Sequence, residues 1–191
     1  MINQIVKIAF VSWAILAAFC VDSAKGQTPA SEYEVKAAFL YNFIKFVEWP
    51  SESLPAKETP YVIGVLGNDP FFDAEALVNY LDLAVNGKLI NERKLIVRRE
   101  DRMSNLKGCH LVFINKSERN RLKEIVAVAR ENNILTVSET DEFCQQGGII
   151  NFVKQSGKVR FEINPAAAAL SNIKISSKLL SVAKIVSAQP R

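Results

Sequence analysis

Short apolar runs alternate with helical patterns through the middle of this chain, and that alternation restricts the fold more than any other feature. "YVIGVLG" (61–67) is almost continuously apolar, as expected of a strand covered on both faces. "KLIVRRE" (94–100), "HLVFIN" (110–115) and "ILTVSE" (134–139) read as further strands. After the first run, Asn68 or Asp69 can cap a helix with Pro70 at its first position, so 71–83 reads as helical. After the third, Ser117 caps "ERNRLKEIVAVARENN", whose apolar positions 122, 125, 126 and 129 keep helical spacing. Strand and helix in turn predict an α/β fold: a single compact domain with a mostly parallel sheet flanked by helices.

The two flanks carry different patterns. "EYEVKAAFLYNFIKFVEWP" (32–50) packs six aromatic rings into nineteen residues. Ser31 and Glu34 form a capping box. Apolar positions 35, 38, 39, 43, 46 and 47, widened by Leu40, Tyr41 and Ile44, give a helix with a broad buried face. Lys36 and Lys45 are expected to snorkel at its margins, and Trp49-Pro50 to close it. Residues 51–59 read as a loop. Near the other end, "GGIINFVKQSGKVRFEIN" (147–164) predicts a hairpin around 155–157. In its second strand Val159, Phe161 and Ile163 should face inward and Arg160 and Glu162 outward. Asn164-Pro165 begins a helical segment, and the spacing of Ile173, Ile175, Leu179, Leu180, Val182 and Ile185 predicts a second apolar helix to the end.

Residues 1–26 read as a signal peptide, leaving one domain over 27–191. Lys7 precedes an apolar stretch at 8–21 whose 14 residues are short for a bilayer span, and Ala24-Lys25-Gly26 suits cleavage before Gln27. Phe19 is too bulky to make Cys20 a good lipidation site. The expectation is export, with no stable membrane insertion of the mature chain. Removing the leader leaves 22 basic and 19 acidic residues, a charge of +3. That mild balance does not support nucleic-acid binding, nor base stacking by the ring-rich stretch.

The residues give little sign of catalysis. His110 is the only histidine. It adjoins Cys109, but neighbouring strand residues face opposite ways, so the two do not readily form a nucleophile–base pair. The ordinary ligand sets for a zinc site are lacking, and "GVLGND" (64–69) has the position of a phosphate loop without its motif. Asp69 would also repel an anion there. There is no GxSxG elbow. The run "ERKLIVRRED" (92–101) mixes charge signs like a solvated strand edge. No enzyme activity, cofactor or metal is expected. The run of alanines in "NPAAAALSN" (164–172) allows close approach of a partner surface, or of the protein's own core. Past the leader, Cys109 and Cys144 remain. A bond between them would close a loop of about 35 residues, worth about 3–4 kcal/mol. The parallel-sheet reading sets them too far apart to bridge, unless "ETDEF" folds back, and both alternatives stand.

Three segments resemble the YfiR-like periplasmic proteins: "YEVKAAFLYNFIKFVEWP" (33–50), "CHLVFI" (109–114) with "GGIINFV" (147–153), and "FEINPAAAALSNIKISSKLLSVAKIV" (161–186). The resemblance implies a compact, dimer-forming periplasmic regulator. It would bind and repress the periplasmic sensor domain of an inner-membrane diguanylate cyclase, lowering cyclic-di-GMP signalling and biofilm formation. An alternative is a small-molecule-binding sensor module for another membrane signalling protein, such as a histidine kinase. Members similar to the best known one carry two disulfides. Here Cys109 and Cys144 look like one half of each, so a Cys109–Cys144 bond does not follow from the family pattern. The hairpin and the start of the C-terminal segment are the expected partner surface, with Ile150, Glu162, Ala168 and Leu170 as its contacts.

Overall fold

The structure is a computed structural model that describes residues 31–54 and 59–187. The expected signal peptide and its cleavage site lie outside the described residues. In chain order the elements are α1 (Glu32–Lys45), β1 (Val47–Glu48), β2 (Tyr61–Leu66), β3 (Phe72–Asp73), β4 (Val78–Asn79), α2 (Tyr80–Val85), β5 (Leu89–Ile90), β6 (Arg93–Glu100), β7 (Leu111–Ile114), α3 (Leu122–Glu131), β8 (Leu135–Ser138), β9 (Ile150–Gln155), β10 (Lys158–Ile163), α4 (Pro165–Leu170), β11 (Lys174–Ile175), α5 (Ser177–Leu180) and β12 (Lys184–Ile185). Short 3₁₀ turns cover Ser51–Ser53, Met103–Leu106 and Lys116–Arg121.

The main sheet has eight strands in the order β12-β10-β9-β8-β7-β2-β6-β5. Every pairing in it is parallel except β9 with β10 and β5 with β6. β2, β7 and β8 are buried along their whole lengths, and their side chains alternate between two apolar layers. Ile63, Val65, Leu111, Phe113, Leu135 and Val137 join α1 and α2 in one core. Val62, Leu66, Val112 and Ile114 join Leu122, Ile125 and Ala129 of α3 in the other. Gly64 sits inside β2 because a Cβ there would stand 2.9 Å from the Cys109 Sγ, the usual reason for glycine in a strand interior.

α1 begins with the expected capping box: Ser31 Oγ accepts from the Glu34 N–H, and the Glu34 carboxylate accepts from the Ser31 N–H. Its rings form the core floor. Phe43 lies 5.1 Å from Phe161 and 5.7 Å from Phe152, centroid to centroid. The helix ends at Lys45, short of Trp49-Pro50, because Val47 and Glu48 pair with Ile175 and Lys174 of β11. Its buried polar member is also unexpected. Lys36 is only 3% exposed and does not snorkel.

Two predicted helices are cut down to Tyr80–Val85 and Ser177–Leu180. Over 71–79 the short acids and amides take the backbone donors that a helix would need. Asp69 Oδ1 accepts from the Phe71 N–H, Asp73 Oδ1 from the Glu75 and Ala76 N–H groups, and Leu77 turns to a positive φ of 54°. The helix starts only at Tyr80, capped by Asn79. After Ser171, Asn172 takes a φ of 54°, and the segment is divided among β11, α5 and β12 by strands from elsewhere in the chain. Asn115, whose Oδ1 accepts from the Ser117 N–H, starts the 3₁₀ turn before α3 in place of Ser117. The hairpin is as expected: Gln155 pairs with Lys158, and Ser156 and Gly157 both have positive φ, the signature of a tight two-residue turn.

Candidate functional site

The expected partner surface divides sharply by burial. Ile150 starts β9 inside the core and is fully buried. Ala168 is 2% exposed, its methyl turned into the same core. Neither meets a partner while the fold is intact. Glu162 does not face water as the alternation implied: β12 pairs beside it, and its carboxylate takes a 2.7 Å bond from Lys184 Nζ. Leu170 alone of the four stands out, 65% exposed at the end of α4.

Leu170 borders a groove of about 390 Å³ between α3 and α4. Val126 and Ala127 of α3 and Ala166 of α4 line it with apolar surface, and Lys123 and Arg130 add two cations from α3. The alanine run is divided between the core and the groove. Ala167 and Ala168 pack inward, while Ala166 leaves room outside. The groove's far wall is fixed by Gly147 and the turn that follows Cys144. Gly148 permits that turn, since a Cβ would fall 2.2 Å from the Phe143 ring.

Among the described residues, Cys109 and Cys144 are free thiols, both buried. Cys109 precedes β7 at one end of the parallel strands, and Cys144 follows β8 at the other, so the Cys109–Cys144 bond is not made. The fold-back allowed for "ETDEF" instead carries Cys144 beneath the hairpin, where its Sγ donates weakly to the Ile149 and Glu162 carbonyls. Burial pushes the Cys109 thiol up to about 11 and the Cys144 thiol up to about 12. At neutral pH both are protonated and poor nucleophiles.

His110 is 5% exposed and its Nδ1 accepts from the Val62 N–H at 3.1 Å. Burial, then the charge of Arg93, hold it down to about 4, so the ring is neutral at physiological pH. Cys109 Sγ lies instead by Arg98 Nη2 at 3.4 Å. Asp69 is a structural acid, accepting from the Phe71 N–H, Asn79 Nδ2 and Arg99 Nε. Of the "GVLGND" segment, Gly64 to Leu66 lie in β2, and the chain turns at Gly67, whose φ is 86°. Arg99 also bonds Asp82, and the mixed charges of the basic run are largely spent locally.

One cluster escaped the sequence reading. Lys36 Nζ bonds Glu32 at 2.6 Å and also Glu139, while the Tyr33 hydroxyl donates to Glu139 at 3.2 Å. Lys154 on the hairpin closes on Glu32 at 3.0 Å. Burial, followed by the Glu139 charge, pushes the Tyr33 phenol up to about 12. Bonds from Lys36 and Lys154 hold Glu32 below the usual carboxylate range. The network ties α1 to the end of β8 and to the hairpin. Only the Glu32–Lys36 spacing was visible in the sequence, because Glu139 lies 103 residues from Lys36.

Among the described residues no helix is long and apolar enough to cross a membrane, and no group of His, Cys, Asp and Glu side chains is placed to hold a metal. No curated protein matches the chain. The fold is similar to that of a conserved domain protein from Vibrio cholerae O1 biovar El Tor, with a TM-score of 0.51 at 15% identity over 78% of this chain and 59% of that one. It is also similar, with a TM-score of 0.49 at 12% identity, to a substrate-binding protein with adhesive properties from Clostridium difficile, over 68% of this chain and 55% of that one. The chain therefore spans under two thirds of the length of either. The model of the YfiR/HmsC-like family matches residues 33–184, from the first turn of α1 to the start of β12, and the chain belongs to the YfiR/HmsC-like family.

Proposed function

We propose that this regulatory protein of the YfiR/HmsC type binds the periplasmic sensor domain of an inner-membrane diguanylate cyclase and represses it. Cyclic-di-GMP synthesis, and biofilm formation with it, falls as a result. The observation that carries the contact surface is Leu170, a large apolar side chain 65% exposed beside an apolar groove with two cations on its wall. Such a groove fits an apolar segment flanked by acids, with Leu170 adding apolar contact area at its border. Repression then works by mass action: binding only the inactive conformer of the cyclase shifts it by the difference in affinity for its two states.

The test is binding of the purified protein to the isolated sensor domain of a candidate cyclase, read by calorimetry, with cellular cyclic-di-GMP measured in parallel. Leu170→Glu is expected to weaken binding by about 2 kcal/mol or more, with an unchanged melting temperature. Lys123→Glu with Arg130→Glu should slow association and make it less salt-sensitive. Full binding by Leu170→Glu removes this surface. An unchanged cyclic-di-GMP level on deletion of the protein removes the cyclase as the target. The homodimer is a separate proposal, tested by sedimentation across a concentration series.

A further inference from the structure

A second cavity, of about 470 Å³, opens at the N-terminal ends of β2, β7 and β8 and shares no lining residue with the α3–α4 groove. Its size is that of ordinary small-molecule sites. Trp49, Pro60 and Val62 give it apolar surface, and Cys109 and His110 complete that part of the lining. Trp49 is 8% exposed, yet its indole Nε1–H is buried with no hydrogen-bond partner. An orphaned buried donor is rare in native structures and calls for an occupant or a function.

His110 supplies a second donor. Its Nδ1 is already taken by the Val62 N–H, so the neutral imidazole carries its proton on Nε2. The indole and imidazole stand edge to face with centroids 6.0 Å apart. Lys107 and Glu131 both line the cavity, so the side-chain charges balance and do not choose the sign of a ligand. Both ring N–H groups are donors, so the group they would take is an acceptor.

We propose that this cavity binds a small organic molecule through a carboxylate or carbonyl oxygen, which accepts from Trp49 Nε1–H and His110 Nε2–H while its apolar body rests on Pro60 and Val62. Neither residue came out of the sequence as a ligand contact. Trp49 read as a helix stop and His110 as a histidine with no catalytic partner in Cys109, because the cavity joins segments far apart in the chain.

The chain carries two tryptophans, Trp13 and Trp49, so in the full chain with Trp13→Phe the indole signal reports Trp49 alone. That protein, labelled with nitrogen-15, is titrated with benzoate, benzamide and benzylamine. Benzoate or benzamide is expected to move the Trp49 indole N–H resonance saturably in the millimolar range, and benzylamine, which offers no acceptor in its charged form, is not. The stronger of the first two tells an acid from a neutral carbonyl. His110→Asn keeps an acceptor for the Val62 N–H and deletes Nε2–H, and is expected to weaken binding about tenfold. Three results overturn the proposal: no shift with any probe, equal shifts with all three, or undiminished binding by His110→Asn in a variant whose melting temperature shows it folded. The first leaves only solvent in the cavity, and the second makes it a nonspecific apolar void.

Discussion

The parallel half of the sheet and the hairpin half are built from the same kind of strand but are used differently. In β2, β7 and β8 every residue is buried and both faces are covered. In β9 and β10 the residues nearest the core are buried and those nearest the turn are exposed. The first half meets the outside only at its strand ends, where Val62 lines a cavity. The second half and the elements joined to it, Leu170 included, carry exposed surface. The difference also shows that small side chains do not mark an interface by themselves: neighbouring alanines of α4 belong to opposite sides of the distinction.

Ala168→Arg breaks the comparison hardest. It buries a charge where the structure has a packed methyl, and is expected to cost about 3–5 kcal/mol in urea unfolding. Leu170→Arg, two residues on, should stay within about 0.5 kcal/mol. Equal effects at the two sites would dissolve the division between core and contact surface. Lys36→Ala leaves Glu139 buried without its main partner and is also expected to cost about 3–5 kcal/mol. Lys36→Met with Glu139→Gln should recover much of that loss. A null result for Lys36→Ala would mean that the network does not tie α1 to the hairpin.

Gly64→Ala tests the parallel half from within. A Cβ facing Cys109 Sγ at 2.9 Å is expected to destabilise by about 1–3 kcal/mol. Cys109→Ala in the same chain should relieve part of it, and a strictly additive double mutant would place the clash elsewhere. Smaller effects come from titration. His110 is held down to about 4, below its unfolded value, so the unfolded chain takes up the proton first. Stability should therefore fall as pH drops from about 6.5 towards 4. The thiols work in the opposite direction: both are raised when folded, so the unfolded chain loses protons first and stability should fall as pH rises above about 9. The pH dependence of chemical unfolding, with and without His110→Asn, measures the first. The least change is expected from reductant. Two protected thiols should react with a thiol reagent only after unfolding, and dithiothreitol should leave the melting temperature where it was.

Local chemistry made some elements legible in advance. The capping box at Ser31 and Glu34, the continuous apolar runs of β2, β7 and β8, and the tight turn at Ser156-Gly157 all depend on residues close together in the chain. The misreadings have local or remote causes that periodicity does not see. Asp69 and Asp73 took backbone donors over 71–76 and displaced a helix onset to Tyr80. The apolar spacing of 173–185 fits a helix, but β1 and β10 claim its backbone as strands. Of the expected partner residues, Ala168 and Leu170 followed the alanine run, while Glu162 followed alternation, which holds for an open edge and fails where β12 covers that edge.

The sequence by itself determined the alternation of buried strand and helix, and through it the α/β class. It also carried the family, since the ring-rich first helix and the C-terminal segment bear the likeness wherever their side chains point. Tertiary structure alone decided that Lys36 is buried, that Cys109 and Cys144 stay apart, that Leu170 rather than Ala168 meets the outside, and that Trp49 and His110 share a cavity. The physical reason is the same in each case. Burial and pairing are properties of the space around a side chain, and that space is filled by segments the local pattern cannot name.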